Sequence, residues 1–139
     1  MNRVTHFEIP AEDKAASREF YTRVFDWDIV DFPVQMDGGL GTYTVATTVA
    51  TDPATQVPVE PGAINGAIKE RRGEVTAPVI FVTVSSVDEH LKRVVEAGGR
   101  VVEERREVTG LGHYAYVADP AGNIFGLWQD IPAEQGEVR

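Results

Sequence analysis

Two side chains near the start of the chain could do acid–base chemistry together. His6 and Glu8 lie two residues apart in residues 4–9, where alternating β-forming and polar residues predict a strand that ends at Pro10. Side chains two residues apart in a strand share a face. The pair could act as a general base, because burial and a neighbouring carboxylate both tune the pKa of a histidine. The alternative is a structural histidine that is hydrogen-bonded to a neighbour such as Glu8.

A second group of side chains could form the walls of a pocket for a small molecule. Its members are aromatic or small, and strand alternation or side-chain size favours a position on the sheet face away from the helices. These ligand-binding candidates are Tyr43, Phe81, Thr83, Tyr114, Tyr116, Gly126 and Trp128. Each ring alone is more typical of a hydrophobic core, but several on one concave face fit a flat or apolar ligand. Gly126 would leave space at the cavity floor.

The elements that position these residues begin with the predicted strand at residues 4–9. A helix follows from Asp13, with an apolar face formed by Ala16, Phe20 and Val24 at four-residue spacing. Further strands are predicted at residues 27–34, 42–49 and 63–68, and the proline-containing segment 50–62 between the last two is expected to be a loop.

The second half of the chain repeats this order. A strand at residues 79–84 precedes a helix that starts at the capping box Ser86 to Glu89 and stops at Gly98. Strands then follow at residues 100–108, 113–118 and 123–129, the last two separated by the turn 119–122.

These patterns predict an α+β fold of two tandem βαβββ modules forming a curved half-barrel mixed sheet around a shared cavity. A single domain is expected over residues 1–130, followed by a polar tail at residues 131–139. Within the domain, module one covers residues 3–68, a charged linker residues 69–77 and module two residues 78–130.

Composition narrows the possible partners and location. The 139 residues include 22 acidic and 13 basic side chains and no cysteine, for a net charge of −9. This charge argues against binding to nucleic acid, and the missing cysteines exclude thiolate sites and disulfides. No apolar run is long enough for a membrane span, and the start lacks the apolar core of a signal peptide. We therefore expect a cytoplasmic protein with no membrane partner.

In motif order and spacing, the chain resembles the vicinal oxygen chelate superfamily of glyoxalase I, bleomycin-resistance proteins and extradiol dioxygenases. The resemblance covers residues 4–129, and its closing segment is similar to an uncharacterised glyoxalase-like branch. One departure is Asp26, where relatives usually have glycine. The motifs are Glu8-Ile9-Pro10, Phe20-Tyr21, Val24-Phe25-Asp26-Trp27, Glu96-Ala97-Gly98-Gly99, Gly110-Leu111-Gly112-His113-Tyr114 and Asp119-Pro120-Ala121-Gly122-Asn123.

The resemblance implies a divalent metal held by the first, fourth, fifth and eighth strands. Of these positions only the first, His6, has a good ligand: the fourth falls near Asn65 or Ala67, and the others are Val79 and Gly126. A single imidazole does not hold a catalytic metal, so no metal cofactor is expected. An atypical site completed by Glu8, Glu60 or His113 is the alternative.

The leading functional hypothesis is a small-molecule-binding protein of the glyoxalase and bleomycin-resistance type without the complete metal site. The alternative is an enzyme of the same superfamily, a lyase, isomerase or dioxygenase, that uses an atypical metal site or His6 as general base. A third possibility is a scaffold protein whose cavity is vestigial, for which the sequence provides no positive evidence. The expected partner is a small organic ligand, and the resemblance implies a homodimer.

Overall fold

The computed structural model describes residues 1–36 and 38–132, and most of the predicted tail lies outside these residues. Eight strands and two helices follow the predicted order. Neither helix has the length and apolarity needed to cross a bilayer in this described part of the chain. The elements are β1 (Arg3–Ala11), α1 (Lys14–Phe25), β2 (Asp28–Met36), β3 (Gly39–Thr47), β4 (Asn65–Glu70), β5 (Val79–Thr83), α2 (Val87–Glu96), β6 (Arg100–Val108), β7 (Gly112–Ala118) and β8 (Ile124–Asp130).

The strands pair in both orientations, so the predicted mixed sheet is confirmed. β1 is parallel to β4, and β4 is antiparallel to β3. β8 is parallel to β5 and antiparallel to β7, which is antiparallel to β6. Parallel neighbours need long connections, and each parallel pair here is joined through a stretch that includes a helix.

The chain forms two compact units, and residues 69–77 lie within one of them. One, called the β1 unit, contains Thr5–Pro33 and Thr42–Ile80. The other, called the β7 unit, contains Met1–Val4, Val34–Gly41 and the residues from Phe81 onward. The segment Val34–Gly41 belongs to the β7 unit because the end of β2 pairs with β6, where Met36 faces Val108. The tandem-module description therefore stays a prediction.

The β1 unit buries a small apolar core beneath α1. The buried residues Ala11, Ile29, Ala46 and Ile68 are packed against the partly buried Phe7, Tyr21 and Trp27. The Tyr21 and Trp27 rings stack at 5.3 Å between centroids. The core thus lies between the helix and one face of the sheet.

Helix α1 begins where the sequence predicts, but its apolar face is not buried. Asp13 is the N-cap, and its carboxylate accepts a hydrogen bond of 3.1 Å from the Ala16 amide. None of the residues of α1, all within the described range, is buried. Phe20, Val24 and Phe25 are about half exposed. The four-residue spacing therefore predicted the helix correctly, but the apolar side chains at that spacing are not buried.

Polar contacts supplement this limited apolar packing of α1 on the sheet. Lys14 Nζ donates to Thr44 Oγ1 over 3.1 Å, and Thr44 Oγ1 donates to Asp31 Oδ1 over 2.7 Å. The Arg18 guanidinium contacts the same carboxylate oxygen at 2.7 Å. Hydrogen bonds from Arg18 and then from Thr44 hold the pKa of Asp31 below its ordinary value. Asp31 therefore joins β2 to β3 and to α1.

The β7 unit has the larger buried cluster, which lies under α2. It consists of Val84, Val87, Leu91, Ala115, Val117 and Leu127. Ser86 caps α2 as predicted, because its hydroxyl accepts from the Glu89 amide over 3.1 Å. Gly98 follows the helix with a φ of 98°, in the left-handed region that glycine adopts easily.

Replacement of Asp31 tests the polar attachment of α1. A carboxylate with a lowered folded-state pKa stabilises the fold at pH values above its unfolded-state pKa, and this stabilisation is lost as the pH falls through the folded-state value. Asp31→Asn should therefore be less stable than the wild type at neutral pH, and the difference should shrink once the pH falls below the ordinary value of 3.8. Urea unfolding at several pH values measures this difference. Asp28→Asn, at the exposed start of the same strand, is the control, and an equal effect of both substitutions would contradict the role of Asp31.

Candidate functional site

The face of the β1 unit that points away from α1 carries the two candidate catalytic residues. Phe7 packs against Trp27 on the helix side, with ring centroids 5.6 Å apart. Alternation along β1 therefore places His6 and Glu8 on the opposite face. His6 is in register with Asn65 and Glu8 with Ala67 on β4. We call this surface, formed by the outward residues of β1, β4 and β3, the polar face.

Glu8 is the most unusual residue of the polar face because its carboxyl group is buried. It is 5% exposed and, with Thr44, is one of two buried polar residues in the described part of the chain. A glutamate is almost never this buried unless it has partners, since removing a carboxylate from water costs several kcal/mol. Such a position in the middle of a strand is typical of a functional group rather than of a solubilising one.

His6 is half-buried, and its ring has a hydrogen-bond partner on the preceding residue. The Nδ1 atom lies 3.1 Å from Thr5 Oγ1. If the hydroxyl donates to Nδ1, the hydrogen of the neutral ring is on Nε2; if Nδ1 donates, Nε2 is the acceptor that a general base requires. The Thr5 hydroxyl rotates to suit either tautomer, so this contact is compatible with both roles of His6.

Asn65, next to His6 across the strand pair, anchors the start of the long loop. Its Oδ1 accepts from the Thr48 amide over 2.8 Å, and its Nδ2 donates to Thr51 Oγ1 over 2.8 Å. Thr48 Oγ1 in turn donates to the Ile64 carbonyl over 2.8 Å. The predicted loop at residues 50–62 is thus attached to β4 at the position that faces His6.

Tyr43 and Lys69 complete the polar face. β3 pairs with β4 so that Val45 faces Ala67, which places Tyr43 and Val45 on the same face as Glu8. Pro10 faces Lys69, so Lys69 also belongs to this face. From the sequence, Lys69 was expected in the charged linker at residues 69–77. The signal that could have identified it is the period-two pattern Asn65, Ala67, Lys69, which continues the strand beyond Ile68.

Two apolar residues of β2, Val30 and Phe32, also lie outside the set of site residues predicted from the sequence. Ile29 is buried in the core under α1, so alternation puts Val30 and Phe32 on the opposite side of the strand. Both are large and about half exposed. Exposed apolar side chains next to polar anchors are typical of a ligand-binding surface.

In the β7 unit, strand register brings the other six predicted residues into two rows. Trp128 of β8 faces Thr83 on one side and Tyr114 on the other. The second row has the same arrangement, with Gly126 of β8 between Phe81 and Tyr116. The predicted wall residues Phe81, Thr83, Tyr114, Tyr116, Gly126 and Trp128 therefore share one face, as alternation along the three strands requires.

Gly126 does not leave open space, contrary to the interpretation from sequence. A Cβ atom built on Gly126 would overlap the Phe81 ring. Phe81 and Tyr116 are each 1% exposed and meet edge to face, with centroids 5.6 Å apart. The absent side chain at position 126 therefore accommodates Phe81, and a ligand would have to displace that ring to occupy the same volume.

His113, considered as an extra metal ligand, lies on the other side of the β7 sheet. It follows the alternation of Ala115 and Val117, which pack under α2, and so points away from the face of Tyr114 and Tyr116. Its Nδ1 is 3.4 Å from the Arg105 guanidinium, which also contacts Asp88 at 3.4 Å. This environment is that of a surface polar contact on the helix side.

The residues at the family's metal positions do not fit a divalent metal. Val79 and Gly126 have no donor atom, and a longer side chain at position 126 would collide with Phe81. The Asn65 amide is already engaged by Thr48 and Thr51. Among residues 1–36 and 38–132, no three His, Asp or Glu side chains converge as metal ligands. A site of this kind needs three or four converging donors, so no chemical step is assigned to a metal here.

Gly126→Ala tests whether the Phe81 ring fills the space at position 126, the position at which the family resemblance implies a metal ligand. Because the new methyl group overlaps Phe81, the free energy of unfolding should fall by about 1–3 kcal/mol, the usual effect of overpacking. Phe81→Leu in the same protein should make Gly126→Ala less harmful, since the smaller side chain makes room.

Chemical denaturation of the two single variants and the double variant measures this coupling. Gly38→Ala is the control because a Cβ atom there meets nothing within 4 Å. Additive effects of the two substitutions would contradict the steric explanation.

Comparison with known proteins places this arrangement in a family. The sequence is 32% identical over 124 residues to "Putative glyoxylase CFP32" of Mycobacterium tuberculosis, covering 88% of this chain and 43% of the relative. It is 32% identical over 136 residues to the anthracycline biosynthesis protein DnrV of Streptomyces peucetius, covering 95% and 48%. The chain thus spans about half the length of the curated relatives it matches.

Structural comparison and a family model agree with these sequence matches. A Streptomyces coelicolor methylmalonyl-CoA epimerase variant, solved with 2-nitronate-propionyl-CoA, superposes with a TM-score of 0.62 at 16% identity, covering 96% of this chain and 97% of the epimerase. At this identity the likeness shows the fold alone. A family model matches residues 3–127. The chain belongs to the Glyoxalase/Bleomycin resistance protein/Dioxygenase superfamily.

Proposed function

We propose that this protein binds a small organic molecule on the polar face, with His6 and Glu8 as polar anchors and without the family's complete metal site. The observation that carries the proposal is the burial of Glu8, which is 5% exposed in the middle of β1. A buried carboxylate is costly for stability, so a role in recognition or proton transfer explains its presence better than solubility does.

The surroundings of Glu8 support a ligand that is partly apolar. Ala67 and Val45 lie in one row with Glu8 across the strands, and Tyr43 lies on the same face. Val30 and Phe32 of β2 are large, apolar and half exposed. Pockets for small molecules usually combine such apolar walls with a few polar groups that fix orientation. The two rows of the β7 unit, with Tyr114, Tyr116 and Trp128, are proposed as ligand contacts within that unit taken by itself.

A proton-transfer enzyme of the lyase or isomerase type is the second candidate. It is compatible with the contact of His6 Nδ1 with Thr5 Oγ1 at 3.1 Å, because this contact in one tautomer leaves Nε2 as an acceptor. It also agrees with the fold of an epimerase solved with a nitronate ligand. In that function His6 or Glu8 would accept a proton from the substrate. The dioxygenase-type alternative depends on an atypical metal site.

The remaining parts of the proposal come from the sequence patterns and, for the homodimer, from the family resemblance. They are the tandem βαβββ description of the fold, a cytoplasmic location and a homodimer in solution. Sedimentation equilibrium tests the last of these.

A thermal-shift screen of small organic molecules tests the binding function. A ligand at one hundred times its dissociation constant stabilises the native state by about 2.7 kcal/mol, which raises the midpoint of a chain of this size by several degrees. Glu8→Gln and His6→Ala should each reduce that shift, because each removes one polar anchor. Glu12→Gln and His90→Ala are matched controls, since Glu12 is exposed beyond β1 and His90 contacts the Ser86 carbonyl on α2.

Two results would separate the candidate functions. Unchanged ligand shifts in both Glu8→Gln and His6→Ala would refute binding on the polar face. Metal analysis of untagged protein should find less than about a tenth of an equivalent, because a single imidazole does not retain a divalent metal. A stoichiometric metal would instead favour an enzyme with an atypical ligand set.

A further inference from the structure

An apolar ridge on α1 lies outside both the polar face and the buried core of the β1 unit. Ala16, Phe20 and Val24 recur every four residues and therefore lie in one row along the helix. All three are exposed, and Phe20 and Val24 keep 54% and 53% of their surface. We call these three residues the α1 stripe. Large apolar side chains that stay exposed side by side are typical of a surface that another protein covers.

The Phe20 ring is held in place by the aromatic residues beneath it. It meets Tyr21 edge to face, with ring centroids 5.1 Å apart, and Tyr21 stacks on Trp27 at 5.3 Å. Trp27 in turn contacts Phe7 of β1 at 5.6 Å. A side chain that is fixed in this way loses little conformational freedom when a partner covers it. Phe20 is therefore a preorganised anchor in the α1 stripe.

The α1 stripe is complementary in size to a second copy of itself. Phe20 is its central residue, with the small Ala16 four residues before it and the larger Val24 four residues after it. When two such helices cross in opposite directions about a twofold axis at Phe20, Ala16 of each copy meets Val24 of the other. Rows of residues four apart are also the ridges that most often interlock between packed helices. A twofold contact requires this kind of self-complementarity.

The charges beside the α1 stripe are self-complementary as well. Glu19 and Arg23 lie on one side of the stripe, 3.6 Å apart and both largely exposed. An exposed ion pair of this kind contributes little to the stability of one chain. In the antiparallel arrangement the same side of each helix faces its equivalent, so Glu19 of each copy approaches Arg23 of the other. The charges therefore favour a second copy in this orientation.

The local charge of α1 also favours a contact between two acidic chains. The protein has a net charge of −9, so two copies repel each other at long range. Helix α1, Lys14–Phe25, contains three basic residues and one acidic residue. The helix of each copy is therefore attracted by the acidic remainder of the other, and repulsion is reduced where the helices meet.

We propose that a second copy of this chain docks on the α1 stripe, with the two α1 helices antiparallel and Phe20 at the twofold axis. This inference rests on the homodimer included in the proposed function and names the surface that forms it. The twelve residues of α1 give a helix only about 18 Å long. Two helices of this length bury less than the about 1,600 Å² of a standard interface. The dimer is therefore weak, and its population depends on the protein concentration.

Sedimentation velocity over a concentration series measures the dissociation constant of the full chain and its variants. Ala16→Arg should raise this constant at least about tenfold, because it blocks the stripe and leaves the rings beneath it untouched. Phe20→Ser should have a similar effect. Val95→Ser is the matched control, since Val95 is 57% exposed on α2 and its replacement should leave the constant unchanged. Circular dichroism of each variant measures whether it is folded.

Exchange of the charges tests the ion pairs between the copies. Glu19→Arg alone places like charges opposite each other and should weaken the dimer, whereas Glu19→Arg combined with Arg23→Glu should restore it. Glu89→Arg, which breaks the exposed ion pair with Lys92 on α2, is the control and should have no effect. Equal weakening by Glu19→Arg and by the combined variant would contradict the pairing of these charges.

The sequence contains no cysteine, so cysteines introduced by mutation report on contacts between copies. A mixture of Ala16→Cys and Val24→Cys should form a disulfide-linked dimer on mild oxidation, because these positions meet in the antiparallel arrangement. Either variant alone should form much less of it. Equally efficient linkage of Ala16→Cys with itself would overturn the antiparallel arrangement.

The sedimentation results separate this inference from the proposed function. A dimer that Ala16→Arg and Phe20→Ser leave as stable as the wild type would overturn the α1 stripe as the interface, while the homodimer would stand. Equal weakening by Val95→Ser would overturn it too. A monomer at every concentration would overturn both the interface and the homodimer, and the thermal-shift screen would still decide by itself on ligand binding.

Discussion

The parallel register of β1 on β4 is the constraint on which the rest of the β1 unit depends. Phe7 lies over Gly66, where a Cβ atom would overlap both its ring and its carbonyl oxygen. Because the side-chain period of a strand is two, a slip by one residue would exchange the two faces of β1. Phe7 would then leave the aromatic cluster with Trp27, and Glu8 would enter the apolar core. The fit between Phe7 and Gly66 thus helps fix which side chains the polar face presents.

The two faces of this sheet are stabilised differently. On the helix side, a few buried apolar residues are supplemented by the contacts of Lys14, Arg18, Asp31 and Thr44. On the other side, a buried carboxylate, a half-buried histidine and a half-buried lysine interrupt the apolar surface. Burial of ionisable groups reduces the free energy of unfolding that the same area could supply if it were apolar. This loss is common where a surface is shaped by recognition.

Much of the fold could be predicted from local patterns. Period-two alternation identified β1 and its two faces, and the Ser86 capping box located the start of α2, because these signals depend on neighbouring residues. The exposure of Phe20 and Val24 could not be predicted in this way, since burial depends on what packs against the helix. The assignment of residues 34–41 to the β7 unit depends on the pairing of Met36 with Val108, which no local pattern indicates.

The candidate site could be predicted only in part, because local patterns indicate which residues share a strand face but not which distant residues pack against them. Alternation placed His6 with Glu8 and ordered the six residues of the β7 rows. Lys69 was missed because charge in its flanking sequence obscured the strand, and the space at Gly126 was misinterpreted because Phe81 is distant in sequence. The dependence of Gly126 on Phe81 also bears on the history of the family. A descendant of this chain could gain a carboxylate ligand at position 126 without disrupting the fold only after position 81 had become smaller. The order of mutations would therefore matter, and this form of epistasis would keep glycine at position 126 even under selection for a carboxylate there.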